Sequence, residues 1–564
     1  MVEDSGAGTA AGAPASAAPP LRLVRSASIV GGAILASRIL GLIREQVFAA
    51  SFGAGRELDA FVTAFRIPNL FRDLFAEGAL SAAFVTCFTQ TLARDGEARA
   101  WRLANLVIHA LLVVVGGVVL LGMIAAPWIV ELIAPGFADS PGKVELTVHL
   151  TRVMFPFLLL VALAAVAMGM LNARDHFGVP ASASSFFNLG SIVVGFAAAW
   201  WLSPLYMAAV WRGGANPGDL SPDAAAHAIV GMAIGTVVGG ALQLLVQLPA
   251  LHRLNYRYRP MLSFRDPGVR QVLRLMGPAT IGAAAVQVNV LVNGNFASQL
   301  GDGAVSWLNV AFRFMQLPIG LFGVAVGVVA LPAVSRSAER ANMAEFNATI
   351  TRALRLVFGL CLPAAVALAV LAPQFVGLVY EHGRFGAHDT QMASQALVAY
   401  AIGLAGYANI KVMAPAFYAL GDARTPAVIS CLSIVVNAVG NWLVIHVLSG
   451  GHAGLAAVTS LVALLNFAIL FGLLRARIGS FPGLGLAVLR LGLASVAVGL
   501  ACVAVRFGVG LFVSVDRTPG RALVALFALP IGVAVFGWVA ATLGITEVGE
   551  LARRLGERLG FAGN

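Results

Sequence analysis

Apolar runs about as long as a bilayer is thick recur along this chain, and they constrain its fold more than any other feature. Roughly 20 consecutive apolar residues suffice to carry a helix across the hydrocarbon. Fourteen such spans can be placed: 28–50, 59–92, 103–130, 147–171, 181–203, 224–250, 275–299, 304–334, 355–379, 390–419, 427–448, 454–474, 487–511 and 522–544. Only 11% of the 564 residues are charged and 59% are hydrophobic. Soluble domains carry about 25% charged residues. In lipid every backbone polar group needs an internal partner, so the spans are expected to be helices rather than open strands. The expected fold class is an all-α polytopic membrane protein.

The loops orient the spans. Connections on the N-terminal side, with both tails, hold 22 Lys and Arg, whereas the opposite loops hold six: Arg56, Lys143, Arg212, Arg384, Arg517 and Arg521. Cationic loops stay in the cytoplasm, so both termini are expected there. The net charge of +11 thus serves orientation, and no nucleic-acid partner is expected. Residues 1–20, most of a disordered tail expected over 1–25, are rich in Ala, Gly, Pro and Ser, a composition that cannot bury enough surface to fold. They lack the basic and apolar regions of a signal peptide. Cys87, Cys361, Cys431 and Cys502 lie in apolar runs without a paired spacing, and read as small buried apolar residues.

An internal repeat relates Ala64–Ala83 to Ala311–Ala330. At one offset of 247, Ala64, Phe65, Arg66, Leu70, Leu74, Phe75 and Ala83 all recur. The offset spans six helices, so the copies share one orientation. Transporters built from such parallel repeats bind substrate between their halves, near the bilayer midplane.

Nine cations fall inside spans: Arg38, Arg44, Arg66, Arg72, Arg152, Arg313, Lys411, Arg490 and Arg506. A central Arg costs about 2.5–3.5 kcal/mol on insertion scales. Arg152, Arg490 and Arg506 are read as reaching out to the headgroups. Lys411 fits either reading. Arg38, Arg44, Arg66, Arg72 and Arg313 sit on the first two spans and on the repeat-related eighth span, and only Glu45, Asp59, Asp73 and Glu77 offer acids within spans. Guanidinium forks match phosphate oxygens, so this excess implies an anionic, phosphorylated substrate. Pro318, Gly323 and Gly327 near Arg313 fit either close helix packing or hinges for alternating access. No nucleotide-binding loop, zinc-protease motif or nucleophile elbow occurs. A carrier of this kind would run on an ion gradient, the membrane potential or its substrate's own gradient, without a bound cofactor.

Several motifs together resemble the MurJ (MviN) lipid II flippases. They are Ser37–Glu45 (SRILGLIRE), Phe52–Gly55 (FGAG), Asp59–Phe61 (DAF), Arg66–Arg72 (RIPNLFR) and Phe75–Ser81 (FAEGALS), with shorter matches at Ala134–Ala138, Leu171–Asn172, Gln316–Pro318, Gly323–Gly327, Ala416–Tyr418 and Thr425–Pro426. The resemblance runs from about residue 26 to the end. It implies a multidrug/oligosaccharidyl-lipid/polysaccharide exporter fold, with six-helix lobes over 26–260 and 261–480. A helix pair over 481–546 would form a lipid-tail groove, and 547–564 would be a cytoplasmic tail. It implies movement of undecaprenyl-pyrophosphate-linked disaccharide-pentapeptide across the bacterial inner membrane. The family's cavity arginines fall on Arg38, Arg44, Arg72 and Arg313, and its acids fall on Glu45 and Asp59. Arg66 joins the substrate set from the charge pattern, and Glu77 is placed with the gating residues.

The chain departs from the family's pattern in places. Phe312 precedes Arg313 where many members carry Asp, and Gln316 stands where some carry Glu. The sodium ligands of some members fall on Asn293, on Asn437 or Asn441, and on Thr459. Asn offers a carbonyl oxygen without charge, which weakens a sodium site and leaves the membrane potential as another source of coupling. The expected carrier is monomeric, surrounded by membrane lipids, with cell-wall synthesis or division proteins as further possible partners. Competing readings are an exporter of another polyprenyl-linked glycan or of a drug, and a non-transporting cell-wall scaffold.

Overall fold

The computed structural model describes residues 20–72, 80–213 and 220–545, with side chains except at 20–29, 81–82, 222 and 277–286. These residues form helices and no strands. In order they are α1 (Pro20–Phe52), α2 (Arg56–Arg72), α3 (Ser81–Asp95), α4 (Glu97–Ile133), α5 (Lys143–Met154), α6 (Pro156–Asn172), α7 (Gly178–Leu202), α8 (Pro204–Arg212), α9 (Pro222–Leu245) and α10 (Leu248–Arg253). The second half continues with α11 (Pro267–Ser298), α12 (Ala304–Pro318), α13 (Ala325–Glu339), α14 (Met343–Val370), α15 (Ala372–Tyr380), α16 (Ala387–Ala419), α17 (Arg424–His446), α18 (Gly451–Ile478), α19 (Leu484–Gly510) and α20 (Thr518–Thr542).

Eleven helical stretches are long and apolar enough to cross a membrane. The three remaining expected spans fall on α1, on α2 with α3, and on α11. α1 begins at Pro20, ahead of the expected start at residue 28 and inside the segment read as tail. Proline divides some spans. Phe155 and Pro156 separate α5 from α6, and Pro373 sits in the first turn of α15 after α14. A proline has no N–H to give the preceding turn, so it is best accommodated where a new helix starts.

Small residues set how closely helices approach. A methyl on Gly231 would lie 2.2 Å from the Ala199 nitrogen, and one on Gly235 would lie 2.3 Å from the Gly195 Cα. The 231–235–239 stripe is therefore the contact face of α9 on α7, as small-residue stripes are in membrane bundles. Large apolar side chains point outward, including Leu120, Trp128, Trp201 and Phe512, the arrangement a lipid surround requires. Three of the four cysteines are buried as expected. Cys431 is exposed instead, because its side of α17 faces outward beside Val428, Leu432 and Val435.

Buried apolar residues gather in separate cores. One joins Phe84, Leu103, Phe155 and Phe157, and a second joins Phe48, Phe61 and Tyr206. A third holds Met315, Phe346, Leu404 and Phe417. Leu491, Val498, Val524 and Phe536 of α19 and α20 form a fourth around Leu371, where α14 passes into α15. Most of each core comes from one sequence half, but Ala49, Ala134 and Phe137 join the third core and Val269 and Val272 join the first.

Candidate functional site

At the end of the bundle where α1 finishes, the halves are sealed by polar contacts. Asp59, on α2, is fully buried. Its carboxylate accepts from Lys143 Nζ (3.0 Å), the Gly303 amide (2.7 Å), the Ser306 amide (2.8 Å) and the Ser306 hydroxyl (2.6 Å). Gly303 precedes α12 at φ +93° and has no side chain to cap it. Asp59 therefore caps α12 from the other half, with its negative charge at the positive end of the helix dipole. Lys143 also donates to Asp302 (2.7 Å) and lies over the Phe137 ring at 4.1 Å. Burial pushes the Asp302 carboxyl up, but the hydrogen bond and charge of Lys143 outweigh it and hold the group below its ordinary value. Nearby, Trp307 Nε1 donates to Asp389 (3.0 Å), and the Arg384 amide donates to the Ala50 carbonyl (2.9 Å).

Deeper in the bundle, α1, α2 and α12 present the expected cations. Arg313 Nη2 lies 2.9 Å from Glu45 Oε1, a bridge between the first and eighth spans. Arg44 Nη2 is 3.7 Å from the same oxygen, and its guanidinium lies over the Phe187 ring at 5.2 Å. Such stacking on a ring offsets part of the burial cost, by about 0.5–2 kcal/mol. Arg66 is half-buried and reaches α11, where a methyl on Gly294 would come within 2.6 Å of its Nη1. Arg38 is exposed and lies on α1 ahead of this group, and Arg72 ends α2 half-buried. Of the expected substrate residues, Arg44, Glu45 and Arg313 are thus in contact, while Arg66 and Arg72 lie on α2. Asp59 belongs to the sealed end instead. Asp73 and Glu77 lie outside the described residues.

Beyond Pro318 the helix passes through a π-turn at Ile319–Val324 into α13. A methyl on Gly323 would be 2.9 Å from the Ala408 Cα, and one on Gly327 would be 2.4 Å from the Lys411 carbonyl oxygen. Both glycines therefore serve close packing on α16, beside a local change of helical winding of the kind found at functional sites. Phe312 meets Tyr400 edge-on, with ring centres 5.5 Å apart.

The structure also brings the expected metal set together. Asn293 Oδ1 accepts from Asn437 Nδ2 (2.6 Å) and Asn441 Nδ2 (2.9 Å), and Asn293 Nδ2 donates to Thr459 Oγ1 (3.3 Å). Asn437 also donates to Asn289 (2.8 Å), which sequence reading passed over. Asn437 and Asn441 are fully buried, and the Oδ1 of each has no hydrogen-bond partner. These oxygens suit a hard cation by type, but the set is uncharged. A buried cation there would lack an anion, which is costly. Among the described residues no cluster of three or more His, Cys, Asp or Glu is placed to hold a metal.

Sequence reading missed Lys143, Asp302, Ser306 and Tyr380. Two signals were available. Lysine occurs only at 143 and 411 in a chain that otherwise uses arginine, and a compact ammonium fits between two carboxylates where a planar fork would not. Ser306 is also the position that the 247-residue offset pairs with Asp59.

The profile described as lipid II flippase MurJ matches residues 48–516. The chain belongs to the lipid II flippase MurJ family. The lipid II flippase MurJ of Burkholderia cenocepacia is 36% identical over 461 residues, covering 81% of this chain and 84% of that one. The probable lipid II flippase MurJ of Bdellovibrio bacteriovorus is 33% identical over 94% of this chain and 97% of its own length. Among solved structures, a lipid II flippase MurJ in an inward closed conformation superposes with a TM-score of 0.71 at 24% identity, over 91% of this chain and 99% of that one. An inward-facing multidrug resistance MATE family transporter of the MOP superfamily gives 0.64 at 14% identity, over 78% and 94%. The expected all-α transporter fold is confirmed by these likenesses. This MurJ family member is a multi-pass membrane protein of a flippase class.

Proposed function

We propose that the chain flips lipid II, the lipid-linked peptidoglycan precursor, from the cytoplasmic to the outer leaflet by alternating access. Its relatives' names support the substrate. The observation that carries the mechanism is Glu45 lying against both Arg44 and Arg313, on helices adjoining the α2 that bears Arg66 and Arg72. The substrate's pyrophosphate takes up the guanidinium forks, bidentately where two donors align. Arg38, exposed on α1, meets the headgroup first.

The sealed end is the outer one in this reading, since Arg56, Lys143 and Arg384 occupy the cation-poor loops. Release outward requires the Asp59–Lys143–Ser306 contacts to part, with α2 and α12 moving away from each other. Pro318 and the π-turn supply compliance within the eighth span. The lipid tail follows α19 and α20. The membrane potential resets the carrier: moving one positive charge inward across 100 mV is worth roughly 2.3 kcal/mol, and the arginine group supplies that charge. Sodium at Asn293, Asn437, Asn441 and Thr459 has less support, because the set is neutral.

Depletion of the protein, with lipid II assayed on the outer leaflet, tests the reading. Outer-leaflet lipid II should fall, and Arg313→Ala should fail to restore it. Unchanged accumulation without a redundant flippase would sink the proposal. Loss of drug resistance alone would instead favour an exporter of other cargo.

A further inference from the structure

The two oxygens of Glu45 have different holders. Oε1 faces Arg313 at 2.9 Å and Arg44 at 3.7 Å. Oε2 accepts from the Tyr380 hydroxyl at 3.1 Å. Tyr380 is the last residue of α15 and is 2% exposed. Its ring lies edge-on to Phe314 at 6.0 Å and against Phe385 at 5.9 Å. The end of α15 is tied to α1 on either side of the tyrosine. Gln46 Nε2 donates to the Val379 carbonyl (2.8 Å), and the Arg384 amide donates to the Ala50 carbonyl (2.9 Å). The next residue, Glu381, pairs with Arg521 of α20 at 2.8 Å. The hydroxyl is therefore a fixed donor, braced from α1, α12 and α20.

We propose that Tyr380 is a positioning residue, which holds Glu45 against Arg313 as an internal counter-anion that the substrate's phosphate must displace. This rests on the reading that Arg313 receives the pyrophosphate. A carboxylate anchored through one oxygen presents the other in a fixed direction. Phosphate and carboxylate oxygens compete for the same guanidinium donors. Arg313 is 45% exposed, so an incoming anion can reach it while Glu45 still holds it. Once displaced, Glu45 stays on its tyrosine tether, ready to recapture Arg313 when the headgroup leaves. The tether makes binding weaker and turnover faster.

Loss of the tether therefore has a signature that damage to the fold does not. Tyr380→Phe keeps the ring and its packing and removes only the hydroxyl. In the full-length protein in nanodiscs, lipid II should bind about threefold more tightly to Y380F and at least tenfold more tightly to E45Q. Flipping in proteoliposomes should fall for both. Adding Y380F to E45Q should change affinity no further, because the hydroxyl acts only through the carboxylate. Unchanged or weaker binding by Y380F would overturn the inference, as would a further change in the double variant. Arg313→Ala reports separately: if it leaves lipid II affinity unchanged, the pyrophosphate reading itself fails.

Discussion

Asp59 and Ser306 stand 247 residues apart and meet through two hydrogen bonds to one carboxylate oxygen, 2.8 Å from the amide and 2.6 Å from the hydroxyl. The same offset relates the two copies of the internal repeat. Residues equivalent under a parallel repeat approach each other only near the axis between the halves, so this pair marks where the halves close. Asp59→Asn should loosen that closure. It would leave Lys143, 1% exposed, with Asp302 as its remaining acid. Breaking a buried pair from one side costs about 3–5 kcal/mol. Thermal unfolding should show the larger loss for Asp59→Asn and a smaller one for Ser306→Ala, about 1.5–3 kcal/mol for a bond to a charged group.

The pH response of the seal follows from Asp302. Its carboxyl is held below the ordinary 3.8 despite burial, because Lys143 bonds and charges it. A lowered carboxylate adds stability above its unfolded value and loses it as pH falls through the folded value. The stability difference between the natural chain and Asp302→Asn should therefore be constant from pH 8 to about 5. It should shrink only below the ordinary value of 3.8. A difference that vanishes nearer neutrality would contradict the Lys143–Asp302 pairing.

The α7–α9 contact should tolerate no added bulk. A methyl on Gly231 or Gly235 meets backbone at 2.2 or 2.3 Å, where no side chain can turn aside. Overpacking of this kind costs about 1–3 kcal/mol. Gly231→Ala should lower the unfolding temperature, whereas Gly116→Ala should not, since nothing lies within 4 Å of the added atom.

Exchange of NaCl for KCl should change neither the unfolding temperature nor the flipping rate, if the neutral Asn293–Asn437–Asn441 set works as a hydrogen-bonded brace. Asn441→Asp places an anion beside the Asn293 amide and should introduce a sodium-specific rise in unfolding temperature. A sodium-specific rise in the natural chain would show that the uncharged oxygens suffice.

The sequence by itself determined the helices, because the apolar runs and the backbone's need for internal hydrogen bonds in lipid are properties of each segment alone. It also determined that α1, α2 and α12 carry cations too numerous for their neighbouring acids. Which of those cations work together depended on packing. Arg44 and Arg313 share Glu45, whereas Asp59, equally conspicuous in the sequence, serves the seal with Lys143, which the sequence places only among the opposite-side loop cations. Tyr380 lies one residue beyond the expected span 355–379 and carried no sequence signal. Its meaning came only from Glu45, which lies 335 positions away along the chain. Hydropathy is written locally, but an ion pair is decided by distance in space. Only the tertiary structure shows that Glu45 lies between Arg44 and Arg313 and is held by Tyr380.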